Sequence, residues 1–270
     1  MSNQVRTQSR RMGDIDVSFA HTGRGRNVVM IHGLGQDHGI WDEVLRHLGS
    51  VSGFAYDLRG HGGSSLGAAD GTIEQLGGDL VAFLEFVGPA TCIGFSLGGS
   101  VALWAAAERP DLVEGVIAVA TSSVVGRAAL NAMLERVEVI ERGGREEVRR
   151  FLFDDTVAQL ATAQIDAEAI VESRLEAISD IRGYVNGIKA ICSINARPLN
   201  ERLAQIRQPV LVISGDLDVW CPRRAAEIML EHLHDASFIE LRGVGHLVTD
   251  VAPQQLVETI SRWMEVEGSK

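Results

Sequence analysis

Short runs of strand-forming residues alternate with segments of helical periodicity along the first 121 residues of the chain. Residues 15–20 alternate apolar and polar side chains, as an edge or antiparallel strand does. Continuously apolar runs indicate instead strands that are buried on both faces of a sheet. Such runs lie at residues 27–31, 54–56, 91–95 and 115–120. Because helical segments such as 73–87 separate these runs, the pattern predicts an α/β fold, with a mostly parallel central sheet and helices on both faces.

The alternation stops between residues 122 and 197, where helical spacing is the only periodicity. Helices are predicted in this segment at 128–142, 146–153, 166–178 and 181–191. The alternation then resumes, with strands predicted at 209–214 and 237–241 and helices at 223–233 and 254–264. We therefore predict a core formed by residues 1–121 and 198–270. Residues 122–197 are predicted to form a helical cap, or lid, over the carboxyl edge of the sheet.

The motif Gly94-Phe95-Ser96-Leu97-Gly98 joins the strand at 91–95 to a segment of helix-forming residues. Its pattern, Gly-x-Ser-x-Gly, is the nucleophile elbow, a sharp turn from strand to helix that exposes a serine hydroxyl. Glycines at the first and last positions remove the side chains that would crowd such a turn. The motif alone is also compatible with a glycine-rich turn whose serine has no chemical role. A base and an acid elsewhere in the chain are needed to decide between these interpretations.

Two later strands end in the residue types that a serine nucleophile needs. Asp218 follows the strand at 209–214, and His246 follows the strand at 237–241. An imidazole can remove the serine proton during attack, and a buried carboxylate fixes the imidazole tautomer and stabilises the imidazolium. Taken singly, a strand-end aspartate is usually a helix cap and a glycine-flanked histidine a turn residue. The order Ser96, Asp218, His246 matches that of the elbow-containing hydrolases, and together the three residues predict a Ser-His-Asp triad.

Two backbone N–H groups are predicted to hold the negatively charged oxygen that forms during attack. The N–H of Leu97 opens the helix after Ser96, where N–H groups lack partners and the helix dipole favours negative charge. The N–H of Leu34 lies in a glycine-rich loop at the end of the strand at 27–31. The loop after the strand at 54–56 also contains an aspartate and a histidine, Asp57 and His61, to which we assign a structural role in pinning the turn.

Outside the predicted cap, nearly the whole sequence resembles the α/β-hydrolase superfamily. The motifs that carry the resemblance lie at 32–35, 57–62, 94–99, 215–218 and 245–246. In the superfamily pattern the acid stands three residues after the glycine, which selects Asp218 over Asp216. Within the superfamily the chain is most similar to 3-oxoadipate enol-lactonases. The stretches that suggest this lie at 34–42, 57–62 and 184–190. The phenylalanine directly before the serine, Phe95, is a feature in which the chain also resembles the cofactor-free haloperoxidase (perhydrolase) group.

Composition limits the classes of function. With 36 acidic and 25 basic side chains the formal net charge is −11, which argues against nucleic-acid binding. No apolar run approaches membrane-spanning length, and residues 1–11 are polar. Three cysteines without paired spacing argue for a reducing compartment and against a zinc site. We expect a cytoplasmic protein that acts on a small molecule, and we expect neither a metal ion nor a cofactor.

The sequence therefore predicts hydrolysis of a carboxylic ester or lactone through an acyl-enzyme on Ser96. Two alternatives remain open, because one fold serves many functions: a cofactor-free oxygenase or perhydrolase with His246 as base, and a small-molecule receptor on a hydrolase scaffold. An anionic lactone would need a cation near the serine, since an unpaired carboxylate in a closed pocket is costly. We predict Arg127, at the start of the cap, for this role, the alternative being that it belongs to a solvated face. Trp220 is the second candidate substrate-binding residue.

Overall fold

The computed structural model describes residues 6–49, 51–160 and 165–267. In these residues eight strands form one sheet, in the order β1-β2-β4-β3-β5-β6-β7-β8. The strands are β1 (Arg6–Met12), β2 (Ile15–Gly23), β3 (Arg26–Ile31), β4 (Val51–Tyr56), β5 (Ala90–Phe95), β6 (Val113–Val119), β7 (Val210–Gly215) and β8 (Ala236–Leu241). The hairpin β1–β2 is antiparallel and β2 pairs antiparallel with β4, whereas the pairs from β4 through β8 are parallel. The predicted α/β architecture is confirmed.

Helices cover both faces of the sheet. They are α1 (Asp42–His47), α2 (Ile73–Val87), α3 (Leu97–Glu108), α4 (Arg127–Gly143), α5 (Arg145–Leu160), α6 (Ala167–Ala177), α7 (Ile181–Ala196), α8 (Asn200–Leu203), α9 (Arg223–Leu230), α10 (Val248–Val251) and α11 (Pro253–Glu267). On one face α2 and α3 pack against the sheet through side chains such as Leu80 and Val101. On the other face α1 and α11 pack through Leu45 and Ile260. The central strands are buried on both sides for this reason, and they therefore appear in the sequence as uninterrupted apolar runs.

The first strand was not predicted from the sequence. β1 has the sequence RTQSRRM, and only its last residue is even partly buried. It forms because its backbone pairs with β2, from Arg6 opposite His21 to Met12 opposite Ile15. Backbone pairing at the edge of a sheet does not require an apolar face, so this strand has no hydrophobic pattern to reveal it.

Between β6 and β7 the chain forms the helices α4 to α7, which we call the cap helices. Their apolar faces pack on one another in a third core cluster, separate from the two clusters that flank the sheet. The cluster includes Val137 of α4, Leu152 of α5, Leu175 of α6 and Ile188 of α7. Residues 1–5, 50, 161–164 and 268–270, which belong to the predicted core and cap, lie outside the described residues. Among the described helices, none has the length and apolar character needed to cross a membrane.

Candidate active site

Ser96 lies between β5 and α3 in a backbone conformation that non-glycine residues rarely adopt, with φ 51° and ψ −116°. The turn is possible because a side chain at Gly94 would overlap the carbonyl oxygen of Gly98. Two hydrogen bonds hold the turn in place: Ser96 N–H donates to Val119 O at 2.8 Å, and Thr121 Oγ1 donates to Ser96 O at 2.6 Å. A strained residue that the surrounding structure holds in place is a frequent feature of functional sites.

His246 connects the serine to a carboxylate. Its Nε2 atom lies 3.0 Å from Ser96 Oγ, and its Nδ1 atom lies 2.8 Å from Asp218 Oδ2. A carboxylate only accepts hydrogen bonds, so the proton of the neutral imidazole belongs on Nδ1, and Nε2 is the acceptor that faces the serine hydroxyl. Both His246 and Asp218 are 4% exposed. The structure thus brings together the three side chains that the sequence selected for proton transfer.

The two neighbouring aspartates have different surroundings. Asp218 Oδ1 accepts hydrogen bonds from the N–H groups of Trp220 at 2.9 Å and Cys221 at 2.8 Å, which leaves Oδ2 directed at His246. Asp216 is exposed, and its Oδ1 accepts from the N–H of Gly243 at 2.6 Å. Asp216 therefore ties the loop after β7 to the loop after β8, whereas Asp218 is the carboxylate in contact with the imidazole.

Two backbone N–H groups at this site have no acceptor among the described residues: those of Leu34, in the loop after β3, and Leu97, the first residue of α3. Both residues line the same cavity as Ser96. The neighbours of Leu34 are held in place, because Gly33 N–H donates to Gln36 Oε1 at 3.2 Å and Gly35 N–H donates to His61 Nε2 at 3.3 Å. In this loop the N–H of Leu34 is therefore free among the described residues, whereas the N–H groups of Gly33 and Gly35 on either side of it are hydrogen-bonded.

Buried histidines brace this loop from behind. His61 Nδ1 donates to Arg59 O at 3.2 Å, which leaves Nε2 to accept from Gly35. His32 Nδ1 donates to Gly33 O at 2.7 Å, and its Nε2 accepts from Leu58 N–H at 2.9 Å. Burial, together with the neighbouring His32, lowers the pKa of His61 from 6.5 to about 3. Each imidazole acts as a neutral acceptor, so the brace requires the unprotonated form.

Because the pKa of His61 is lowered, the free energy of unfolding is expected to fall as the pH is lowered from 6.5 to about 3. Between pH 6.5 and about 3 the unfolded chain binds a proton at His61 that the folded chain does not, so this contribution is complete above pH 6.5 and is lost on acidification. From pH 7.5 to 5 the linkage corresponds to about 2 kcal/mol. Urea unfolding at both pH values should show a smaller difference in His61→Gln than in wild type. The exposed His47→Gln variant should match wild type, and equal differences in all three proteins would contradict the assignment.

A cavity of about 370 Å³ opens at Ser96 between the sheet edge and the cap helices. Most of its wall is apolar, with side chains such as Phe95, Val125 and Met133. Trp220 lines it, and the Trp220 ring meets that of His246 edge-on, with 4.8 Å between centroids. The described part of the chain contains one group of three metal-binding side chains, Asp218, Cys221 and His246. A metal ion there would have to displace the hydrogen bond between the carboxylate and the imidazole.

The structure places Arg127, the residue predicted as the cation near the serine, outside the wall of this cavity. Arg127 begins α4, is exposed, and does not belong to the cavity wall. The arginines that line the cavity are Arg136, also in α4, and Arg174, in α6. Arg127 follows β6 closely in sequence and its neighbours Gly126 and Ala129 line the cavity, but Arg127 itself is exposed and absent from the wall.

A cap residue that the sequence pattern does not reveal holds the loop that contains His246. Gln159, near the end of α5, accepts a hydrogen bond from His246 N–H at its Oε1 atom, at 3.0 Å. A helix was predicted at 146–153, but α5 continues to Leu160, and beyond residue 153 its buried face changes from apolar to polar. After Leu152 that face continues with Asp155, Thr156 and Gln159. Hydrophobic periodicity does not reveal a buried polar face. The pattern therefore does not indicate that α5 extends as far toward the site as it does.

Comparison with known proteins gives relatives that align along almost the whole chain. The chain is 24% identical to 3-oxoadipate enol-lactonase 2 of Acinetobacter baylyi, over 93% of this chain and 94% of that protein. It is 29% identical to the pimeloyl-acyl-carrier-protein methyl ester esterase of Nitrosomonas europaea, over 87% and 94%. Its structure matches that of the enol-lactonase of Burkholderia xenovorans LB400 with a TM-score of 0.83 at 21% identity, covering 96% of this chain and 100% of that one.

The family model described as the alpha/beta hydrolase family matches residues 28–259. The match begins in β3 and ends in α11, so it includes Ser96, Asp218, His246 and all the cap helices. The eight-stranded sheet, with its antiparallel start and its parallel remainder, agrees with this match. The chain therefore belongs to the alpha/beta hydrolase family.

Proposed function

We propose that the protein is a serine hydrolase that cleaves a carboxylic ester or a lactone of a small molecule. The observation that carries the proposal is the continuous contact from Asp218 through His246 to Ser96, with 2.8 Å and 3.0 Å between the facing atoms. Both distances lie within the range for direct proton transfer through a hydrogen bond. The hydrogen bonds from Trp220 and Cys221 to Asp218 keep the carboxylate oriented before any substrate binds.

In the first half of the reaction, Ser96 Oγ attacks the carbonyl carbon while His246 Nε2 takes the hydroxyl proton. Asp218 stabilises the imidazolium that forms. The tetrahedral intermediate then collapses, the carbon–oxygen bond to the leaving alcohol breaks, and His246 gives its proton to that alcohol. An acyl group remains on Ser96. In a lactone the released hydroxyl stays attached to the acyl chain, because the broken bond closed a ring.

In the second half, a water molecule attacks the acyl-enzyme while His246 takes its proton. Collapse of this intermediate releases the carboxylic acid and returns the proton to Ser96 Oγ. In both halves the N–H groups of Leu34 and Leu97 stabilise the negative oxygen. One such donor contributes about 3 kcal/mol to lowering the barrier. Both N–H groups lack an acceptor among the described residues, which supports this role.

The relatives support an ester or lactone substrate. One is named as an enol-lactonase and another as a methyl ester esterase, and in each name the bond is a carboxylic ester. We propose that the cap helices act as a lid that selects the substrate, because α4, α5, α6 and α7 all contribute residues to the cavity wall. An enol-lactone is one candidate of suitable size for this cavity.

The proposal is tested by a screen of small lactones, enol-lactones and short acyl esters with wild type and Ser96→Ala. We expect turnover of at least one class by wild type, and its loss in the variant. Binding without turnover of any compound would favour a receptor. Oxygen uptake with a heteroaromatic substrate, or peroxide-dependent halogenation, in the absence of ester cleavage would favour the cofactor-free oxygenase or perhydrolase.

A further inference from the structure

Arg174 is a buried cation without a carboxylate partner. The residue is 6% exposed, and within the described residues no Asp or Glu oxygen lies within 4.0 Å of its guanidinium. Its Nη1 donates to Thr156 Oγ1 at 3.2 Å and its Nη2 to Leu34 O at 3.4 Å, while its Nε has no acceptor. A guanidinium carries five N–H donors, so most of its capacity for hydrogen bonds is unused. Burying a charge whose N–H donors lack acceptors costs free energy, unless a bound ligand accepts those hydrogen bonds.

A second buried polar group with an unused donor lies beside it. Tyr184, in α7, is fully buried; the Arg136 guanidinium is close enough to interact with its oxygen, but the hydroxyl proton has no acceptor among the described residues. The charges of Arg174 and Arg136 act on this hydroxyl, which burial keeps in its neutral form by raising its pKa. Arg174 and Tyr184 both line the cavity that contains Ser96. Two donors of adjacent elements are thus available at one place in the cavity wall.

The other charges nearby do not satisfy Arg174. Arg136 is the second arginine of the cavity, and Asp155 neutralises it through hydrogen bonds of 2.5 Å and 2.9 Å. Asp250 is close enough for its carboxyl group to interact electrostatically with Arg174, but its recorded hydrogen bond is with Thr249 Oγ1, at 3.0 Å. As far as the described residues show, Arg174 therefore contributes a positive charge to the cavity without a salt-bridge partner.

We infer that Arg174 and Tyr184 bind a carboxylate group of the substrate. A carboxylate accepts two parallel hydrogen bonds from a guanidinium, and the tyrosine hydroxyl can donate a third. The inference rests on the proposed function, which it narrows to esters or lactones of acids that carry a second, free carboxylate. A neutral substrate of the same size would leave the buried charge without a partner.

The position of Arg174 limits the length of that substrate. Its Nη2 lies 3.4 Å from the carbonyl oxygen of Leu34, the residue whose N–H is proposed to hold the oxyanion. One residue spans at most about 3.6 Å, so this nitrogen lies within about 7 Å of the oxyanion donor. The carboxylate and the scissile carbonyl therefore belong to one short molecule, such as a half-ester of a short dicarboxylic acid or a lactone with a carboxylate side chain.

Matched esters test this inference. The anionic substrate is mono-4-nitrophenyl glutarate and the neutral one is its methyl ester, methyl 4-nitrophenyl glutarate. We expect Arg174→Gln to raise KM for the anionic ester about 30-fold, as for loss of a charge-assisted hydrogen-bond pair, and to change KM for the neutral ester less than threefold. Arg127→Gln, which removes an exposed arginine outside the cavity, should change neither. Equal losses on both esters would overturn the inference and make Arg174 a tether between the cap and Leu34.

A binding measurement separates failure of this inference from failure of the proposed function. Titration of glutarate into Ser96→Ala in a calorimeter requires no turnover. We expect the Kd to increase about 30-fold when Arg174→Gln is added and about fivefold when Tyr184→Phe is added. Arg174→Lys serves if the glutamine variant does not fold, and should weaken binding by an intermediate factor because the bidentate fork is lost. An unchanged Kd in these variants would overturn the carboxylate site even if Ser96-dependent ester cleavage is observed.

Discussion

Ser96→Ala is expected to lower kcat/KM for the best ester or lactone by at least about 10⁴-fold, because it removes the proposed nucleophile. The same variant should fold normally. Its hydroxyl is hydrogen-bonded only to His246 among the described residues, and alanine keeps the Cβ atom that the turn already accommodates. The thermal midpoint should therefore stay within about 2 °C of wild type. Steady-state kinetics and thermal unfolding on the same preparations measure both quantities.

Ser122→Ala is the matched control for this variant. Ser122 lines the same cavity, and its hydroxyl donates to the backbone oxygen of Val124 at 2.8 Å instead of facing an imidazole. Its turnover should stay within a few-fold of wild type. Comparable losses in the two variants would mean that the cavity, and not the Ser96 nucleophile, is what the substitutions disturb.

Asp218→Asn is expected to lower kcat about 10³- to 10⁴-fold, while Asp216→Asn changes it less than about threefold. The asparagine oxygen at 218 can still accept from Trp220 and Cys221, so its amide nitrogen would face His246 Nδ1 and donate to it. The imidazole proton would then move to Nε2, which could no longer accept the proton of Ser96. The positions of the three side chains would be kept, but the proton of the His246 imidazole would be on the wrong nitrogen.

The matched variant, Asp216→Asn, removes a charge in the same loop without changing the tautomer of His246. Asparagine there can still accept from the N–H of Gly243, and the residue is exposed. Rates measured for both variants at one pH, with thermal midpoints as a folding control, decide between the two aspartates. A larger kinetic loss at 216 than at 218 would contradict the assignment of Asp218 as the acid.

The sheet and the elbow could be predicted because their signals are local. Strands buried on both faces must be apolar throughout, so β3, β5 and β7 appear in the sequence as runs, and α2 was predicted with the bounds that the structure has. The elbow requires glycine on both sides of Ser96 for steric reasons, and such a requirement leaves a fixed motif. Parallel strands also bring their carboxyl ends together, which is why Ser96 and His246 could be expected to meet.

The polar part of the cavity wall could not be predicted because its signals are not local. Arg174 lies in a mixed-charge helix of the kind that usually faces solvent, yet it is buried because α6 packs against α5 and the loop that contains Leu34. Arg127 lies closer in sequence to the sheet edge and is exposed. Which arginine of a helical segment faces a cavity depends on how the helices cross, and composition does not contain that information.

The most direct test of the central claim is covalent labelling with a serine-directed fluorophosphonate, followed by intact-mass and peptide mass spectrometry. We expect one adduct per chain on wild type, on the peptide that contains Ser96, and none on Ser96→Ala. We also expect much slower labelling of Asp218→Asn, because the base that activates the hydroxyl is then in the wrong tautomer. An adduct on another residue, or labelling of Ser96→Ala at the rate of wild type, would contradict the assignment of Ser96 as the nucleophile.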